Sequence, residues 1–268
     1  MQTLRLTWML TGVSLGLEVG KEADKAVAFI ARVVADASAK GVVVGLSGGI
    51  DSAVVGALCV RGLGKDRVLA LLLPSDHTPQ QDKEDARRLA EMWGARMEEI
   101  RISPIVDTLV NFSKNEGTKI ARANLEARVR MVLNYYRANT LGYLVAGTGD
   151  RSEELLGFFT KYGDGAVDFM PIAHLFKTQV RELGAYLGVP QDIVEKPSSP
   201  QLWPGHKASD ELPAEYDRLD VVLHCIFDLK ATNEEAASRA GVSLGVVSRV
   251  LEMHARTEHK RNTPPSLA

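Results

Sequence analysis

The sequence predicts an α/β protein: a doubly wound parallel sheet with C-terminal helices. Three observations carry this. Runs at 41–46, 67–73 and 143–146 are short and apolar without alternation, as strands buried on both faces must be. Stretches with helical periodicity lie between them, so strand and helix take turns along most of the chain. The polar segments 47–52, 74–81 and 147–153 fall where strands should end, which is where open parallel sheets bind ligands.

Residues 1–20 read as an N-terminal extension and 21–268 as a single domain. Arg5 ahead of the apolar run 6–17 has the outline of a signal peptide, but Thr7, Thr11, Gly12, Ser14 and Gly16 dilute it. No A-x-A cleavage pattern follows, and the run is too short to span a bilayer. A cytoplasmic protein with no membrane partner is expected. Residues 21–40 place Val27, Ile30, Val33, Val34 and Ala37 at helical spacing ahead of the first strand, 41–46. An apolar helix begins near Ala53. Pro74 ends the second strand, 67–73. Thr78 is expected to cap the next helix, with Pro79 in its first turn, Gln81 completing a capping box and Gly94 beyond its end.

A third strand is predicted over 97–102, and Ser103-Pro104 opens another helix. Residues 118–138 form a long helix on which Arg122 and Arg137 read as a solvated face. The fourth strand, 143–146, runs into Gly147. A helix over 176–187 is stopped by Gly188-Val189-Pro190, and 192–195 is expected to add a further short strand. Residues 196–213, rich in proline, read as a surface loop, and the remainder as helical.

Bulk properties narrow the function. With 45% hydrophobic and 25% charged residues, the chain has the composition of a soluble globular protein. Its net charge of −2 gives no general attraction to nucleic acid or anionic membrane. The two cysteines, Cys59 and Cys225, lie in apolar helical runs and are expected to be inert buried thiols.

The most informative stretch is Gly45-Leu46-Ser47-Gly48-Gly49-Ile50-Asp51-Ser52, between a buried strand and an apolar helix. Glycines let backbone N–H groups approach an anion, and a helix N-terminus adds partial positive charge. Ser47 and Ser52 supply hydroxyl donors. Asp51 would repel a phosphate unless a cation lay between them, which argues for Mg²⁺. No lysine follows the glycines, so this is not a Walker A loop. It resembles the SGGxDS pyrophosphate loop of the N-type ATP pyrophosphatases, which cleave ATP between its α and β phosphates.

Further segments sharpen that resemblance. Asn124 to Met131, Gly147-Thr148-Gly149-Asp150-Arg151-Ser152-Glu153, Gly157-Phe158-Phe159-Thr160-Lys161-Tyr162-Gly163-Asp164-Gly165 and Thr257-Glu258-His259-Lys260-Arg261 resemble the NxxARxRM, GTxxxSE, GFFTKYGDG and TEHKR motifs of ammonia-dependent NAD synthetases. The likeness covers about residues 20–265. It implies an adenine nucleotide alpha hydrolase-like fold and a homodimer with the dinucleotide site at the subunit interface. It also implies a ligase that uses ATP, Mg²⁺ and ammonia to amidate deamido-NAD.

Residue by residue, the resemblance puts Gly45, Leu46, Ser47, Gly48, Gly49, Ile50, Asp51 and Ser52 at the ATP phosphates and Asp51 and Glu153 on Mg²⁺. Thr148, Lys177 and Ser198 would contact ATP. Arg128, Lys161, Asp168, His259 and Lys260 would contact deamido-NAD. Lys177 would spread charge developing on the phosphates, and Asp164 would attract ammonium and take its proton. Asp150 reads as a helix cap. The run Pro197-Ser198-Ser199-Pro200-Gln201-Leu202-Trp203 departs from a shorter run in relatives, and the acidic turn at 210–213 is truncated, which bears most on Ser198. No stretch is left over for a glutaminase, and neither cysteine has the setting of its nucleophile, so free ammonia, or ammonia from an unlinked partner, is the expected nitrogen source.

A different ATP pyrophosphatase that amidates or thiolates a nucleotide fits the glycine loop, but not the absence of reactive cysteines and a basic surface. A nucleotide sensor would not need both Asp51 and Glu153. Residues 232–251 have the outline of a DNA-binding helix-turn-helix, yet Glu234, Glu235 and Glu252 leave it no basic face. A helical pair closing the domain is expected instead.

Overall fold

Val42, Val43 and Val44 define the centre of the molecule, because each is buried and successive side chains enter different cores. The computed structural model describes residues 15–115, 117–199, 203, 205 and 208–267. Most of the N-terminal extension, and with it the signal-like run through Ser14, lies outside them. So do Pro200, Gln201 and Leu202 of the 196–213 loop. None of the described helices is long and apolar enough to cross a membrane.

Among the described residues the sheet has four parallel strands in the order β3-β2-β1-β4: β1 Val42–Gly45, β2 Val68–Leu72, β3 Arg96–Glu99 and β4 Leu144–Ala146. Val42 lies opposite Val68 on one side and Leu144 on the other. The order reverses at β1, so its carboxyl end opens into the crevice where such sheets bind ligands.

Helices α1 (Val19–Asp36), α2 (Ile50–Leu63) and α3 (Gln80–Trp93) follow in sequence, then α4 (Ser103–Ser113) and α5 (Lys119–Leu141). Ile30 and Val34 of α1 and Val54 and Leu58 of α2 cover the face that carries Val42 and Val44. Val106 of α4 and Val129 and Ala138 of α5 cover the face that carries Val43. This two-sided burial explains why the strands read as unbroken apolar runs. A third core joins α6 (Arg151–Leu156) and the start of α7 (Lys177–Tyr186) to the C-terminal helices through Leu156, Phe176, Leu219, Val222 and Val247. Those helices are α9 (Tyr216–Leu223), α10 (Asn233–Ala240), α11 (Leu244–Arg256) and α12 (Glu258–Arg261). The helix-turn-helix outline is therefore α10 and α11, with Ala236, Ala240, Val247 and Val250 packed into that core.

Three expectations change. Residues 191–194 form a short helix, α8 (Gln191–Val194), not a strand. Pro190 fixes its entry and Ile193 and Val194 are buried, in a stretch too short for periodicity to separate helix from strand. Phe169 instead extends the sheet edge, in a parallel bridge to Ala146. Thr78 does not cap α3: Pro79 occupies the cap position and the Thr78 hydroxyl accepts from the Ser75 N–H at 3.0 Å. Arg137 is no solvated residue but is half-buried against Glu98 at 2.6 Å, and Arg122 pairs with Asp107.

Phe176 cannot cap α7, so neighbours serve its first N–H groups. Ser152 Oγ accepts from Lys177 N at 2.9 Å, and Asp220 of α9 accepts from Thr178 N at 2.8 Å. Asp220 also accepts the Ser152 hydroxyl proton at 2.6 Å. Burial raises the Asp220 carboxyl from its ordinary 3.8 to about 6, against these hydrogen bonds. Between those values the folded protein holds a proton that the unfolded chain releases, so stability falls as pH rises from 4 to 6, by roughly 2–3 kcal/mol from this group. Asp220→Asn is expected to destabilise the fold yet remove that part of the slope, as read by urea unfolding across the pH range.

Candidate active site

Ser47 to Ser52 turn from β1 into α2 at the sheet's reversal point. The loop is held from within: Ser47 N–H donates to Ser52 Oγ at 3.2 Å, the two hydroxyls lie 3.1 Å apart, and Ser52 Oγ donates to Gly49 O at 3.0 Å. Gly48 has φ +80°, and a Cβ there would sit 2.2 Å from the Asp82 carbonyl oxygen. Only glycine fits both the left-handed backbone and that close approach. The exposed Ser47 and the first turn of α2 thus present donors suited to an anion.

Beside this loop Lys177, with 1% of its side chain exposed, meets three carboxylates. Its Nζ lies 2.7 Å from Asp51, 3.0 Å from Asp150 and 3.0 Å from Glu153. Burial opposes its charge, but Asp150, Asp51 and Glu153 outweigh burial and hold the ammonium well above the usual lysine range. Burial also pushes Asp150 up to about 7, against the pull of Lys177. Glu153 is raised in the same direction and by the same cause. Three carboxylates facing one ammonium leave a formal surplus of two negative charges.

Asp150 is indeed a helix cap, accepting from Glu153 N at 2.8 Å, while Glu153 reaches back to Asp150 N. Its buried second oxygen has no hydrogen-bond partner and contributes to the lysine cluster through charge alone. Sequence reading missed that second role, for which the only signal was its place one turn from Glu153.

A divalent cation fits this chemistry. Asp51 Oδ1 is buried without a hydrogen-bond partner, and the surplus negative charge calls for a cation. Among the described residues no group of three or more His, Cys, Asp or Glu side chains forms a ready ligand cage. Mg²⁺ requires none, since one or two carboxylates suffice when phosphate oxygens and water complete its shell.

A second cluster surrounds the turn that follows α6. Arg128 donates to the Lys161 carbonyl at 3.2 Å, and Lys161 Nζ donates to the His259 carbonyl. Lys260 Nζ donates to the carbonyls of Gly157 and Phe159 at 2.7 and 2.6 Å. Asp164 keeps an open face to solvent. Protein packed round its other sides raises its carboxyl above the ordinary value, against the Thr160 N–H that donates at 2.9 Å. Burial lowers the Lys260 ammonium, against the nearby charge of Asp164.

The remaining expected residues stand apart from these clusters. Asp168 accepts from Val145 N at 2.7 Å and Tyr135 OH at 3.1 Å, so it also secures the edge of β4. Ser198 Oγ accepts from Arg181 at 3.3 Å. Thr148 is half-buried between β4 and Asp150. A half-buried group absent from the sequence reading joins His77 to the buried Glu126 at 3.4 Å and Glu126 to Arg130 at 3.7 Å, with Arg130 donating to the Leu73 carbonyl. Arg130 and Glu126 share one face of α5, but nothing in sequence brings His77 to them. Cys59 is buried, which pushes its thiol up to about 12, and burial also raises Cys225. Neither is a poised nucleophile.

The family model described as NAD synthase matches residues 22–264. A protein named NH(3)-dependent NAD(+) synthetase from Hyperthermus butylicus is 52% identical over 239 residues, covering 89% of this chain and 87% of that protein. A solved structure described as NMN synthetase from Francisella tularensis superposes with a TM-score of 0.84 at 34% identity, covering 94% of this chain and 99% of that one. The NH3-dependent NAD synthetase from Campylobacter jejuni gives a TM-score of 0.79 at 31% identity, covering 94% and 100%. The glycine loop, the lysine among its carboxylates and a match along nearly the whole length place this chain in the NAD synthase family.

Proposed function

We propose that this chain uses ATP to join ammonia to the nicotinate carboxyl of deamido-NAD, giving NAD, AMP and pyrophosphate. The observation that carries the reading is the buried Lys177 ammonium among Asp51, Asp150 and Glu153, beside a glycine loop, in a chain of this family. A carboxylate is a poor acyl donor because its oxygen does not leave. In the first step it attacks the α-phosphorus of ATP. The bond from that phosphorus to the bridging oxygen breaks, and pyrophosphate departs towards the N–H groups of residues 47–52. In the second step ammonia attacks the acyl carbon, AMP leaves with the bonding pair, and the nitrogen loses its surplus proton.

Lys177 and the loop stabilise charge gathering on the phosphates, an effect that is usually the largest in catalysis. Mg²⁺ would be held by Asp51 and Glu153 and would neutralise phosphate charge. Gly45, Leu46, Thr148 and Ser198 complete the proposed ATP contacts. Arg128, Lys161, Asp168, His259 and Lys260 are proposed for deamido-NAD, supported by the grouping of four of them at one turn. A homodimer is proposed, with exposed Val132 and Tyr136, one turn apart on α5, as apolar surface that a second copy would cover. Sedimentation of the purified chain at twice its 29.2 kDa mass is the expected result.

One finding favours a second reading of substrate size. The Francisella tularensis protein is described as an NMN synthetase, which points to a mononucleotide carrying the same nicotinate group. The relatives named NAD(+) synthetase reach higher identity, 52% against 34%, which favours the dinucleotide. Incubation with ATP, Mg²⁺, ammonium and either nicotinate nucleotide tests both. Equimolar AMP, pyrophosphate and NAD from deamido-NAD support the proposal, whereas turnover of the mononucleotide alone selects the second reading.

Two variants probe the chemistry. Lys177→Met leaves three carboxylates facing one another, so it is expected to abolish turnover and cost about 3–5 kcal/mol of stability at neutral pH. That deficit shrinks on acidification, because the stranded carboxylates take up protons that the unfolded chain binds only at lower pH. Asp164→Asn is expected to raise the ammonium concentration needed for half-maximal rate about tenfold or more, the worth of one charge-assisted contact. An unchanged rate at limiting ammonium removes Asp164 from the mechanism.

A further inference from the structure

Lys196 follows α8 and has no part in the chemistry above, yet it is among the most tightly held lysines of the fold. Its Nζ donates to the Gly48 carbonyl at 2.9 Å, to Asp82 Oδ1 at 2.9 Å and to Asp85 Oδ2. Both carboxylates are buried on α3, with side chains 7% and 2% exposed. Arg88 takes the other oxygen of Asp85 at 3.1 Å and continues to Asp192 of α8 at 2.6 Å. Burial opposes the charge on Lys196, but its hydrogen bonds to Asp85 and Asp82 outweigh that and keep it an ammonium.

The acceptor that matters is the Gly48 carbonyl. The peptide joining Gly48 to Gly49 lies between two glycines, where rotation of the whole unit costs less than at any other residue pair. Because a trans peptide is planar, its C=O and N–H point to opposite sides. An ammonium fixed on the carbonyl side therefore fixes the Gly49 N–H on the other side. There it donates to Ser47 Oγ at a long 3.3 Å, a bond that a phosphate oxygen readily replaces. The contacts within the loop leave this peptide underdetermined, since none of them holds the Gly48 oxygen.

We infer that Lys196 is a positioning residue of the ATP site: anchored on Asp82 and Asp85, it clamps the Gly48 carbonyl and keeps the Gly49 N–H aimed at the departing pyrophosphate. The inference deepens the proposed function and rests on it for the identity of the anion.

The test uses Lys196→Met, the double variant Lys196→Met/Asp82→Asn and Asp85→Asn, each checked for folding by thermal unfolding. The double variant removes a buried carboxylate together with its partner, so the clamp is lost without stranding that charge. Steady-state kinetics are expected to show KM for ATP and the inhibition constant for pyrophosphate rising about ten- to a hundredfold in both Lys196 variants, the range of one charge-assisted hydrogen bond. KM for deamido-NAD and for ammonium should stay within about twofold, which general loosening of the fold would not allow. Asp85→Asn keeps the ammonium but weakens its anchor, so it should move the same two constants in the same direction by less.

Unchanged pyrophosphate inhibition in a folded double variant overturns the clamp. So does a large effect in the Lys196 variants with none in Asp85→Asn, since the ammonium would then act on phosphate directly. Calorimetric binding of pyrophosphate with Mg²⁺ to wild type and variants gives the same comparison without turnover. A wild type that binds pyrophosphate but makes no NAD thus refutes the proposed function while leaving the clamp to be judged on binding.

Discussion

A lysine with 1% of its side chain exposed stays charged only if anions are buried with it, and Lys177 is buried with three. That arrangement constrains much of the molecule. Asp51 comes from the first turn of α2, Asp150 and Glu153 from the start of α6, and Lys177 from the first position of α7. Three helix N-termini therefore converge on one point, each contributing partial positive charge. A lysine at a helix N-terminus is unfavourable by itself. Here the carboxylates offset both the ammonium and the helix ends, and the acidic surplus beyond that offset is what a metal–phosphate group would meet.

Convergence of this kind needs a sheet that sets helix starts side by side, which a parallel sheet with short connections does. Loop 47–52 was legible because its chemistry is local: two glycines, two hydroxyls and a carboxylate in six residues just beyond a strand end. The strands were legible because burial on both faces leaves no polar alternation, as Val42, Val43 and Val44 demonstrate. Residues 191–194 were not, since four residues cannot display a period and Pro190 suits the start of a helix as well as the end of a turn. Arg137 misled because its partner, Glu98, lies on a neighbouring strand 39 residues away.

The same limit applies inside the candidate site. Glu126 and Arg130 are one helical turn apart, but His77 reaches them only because the turn after β2 passes over α5. Asp150 was correctly read as a cap from its place just beyond a strand end, and its ion pair with Lys177 was invisible because it depends on how α6 and α7 pack. Local hydrogen-bonding patterns are written into sequence, whereas charge clusters between helices are written into the core that brings those helices together.

That distinction gives α6 its importance. At six residues it is far too short to persist alone, so its ends must be held from outside. Its N-terminal end is held by the Asp150–Glu153 capping box and the Lys177 cluster. At the other end Gly157 turns the chain at φ +66°, against Thr257, which lies so near that a Cβ would meet its hydroxyl at 2.1 Å. Lys260, three residues beyond Thr257, donates to the carbonyls of Gly157 and Phe159. A strut about 9 Å long therefore runs from the carboxylate–lysine cluster to the cluster around Lys161 and Lys260. The C-terminal helices, buried through Val247 and Val250, fix the distance between the two. The proposed adenylation brings two nucleotides together and would require that spacing to be rigid, since the carboxyl oxygen must reach the α-phosphorus in line. The third hydrophobic core, which has no role in covering the sheet, has this spacing to maintain.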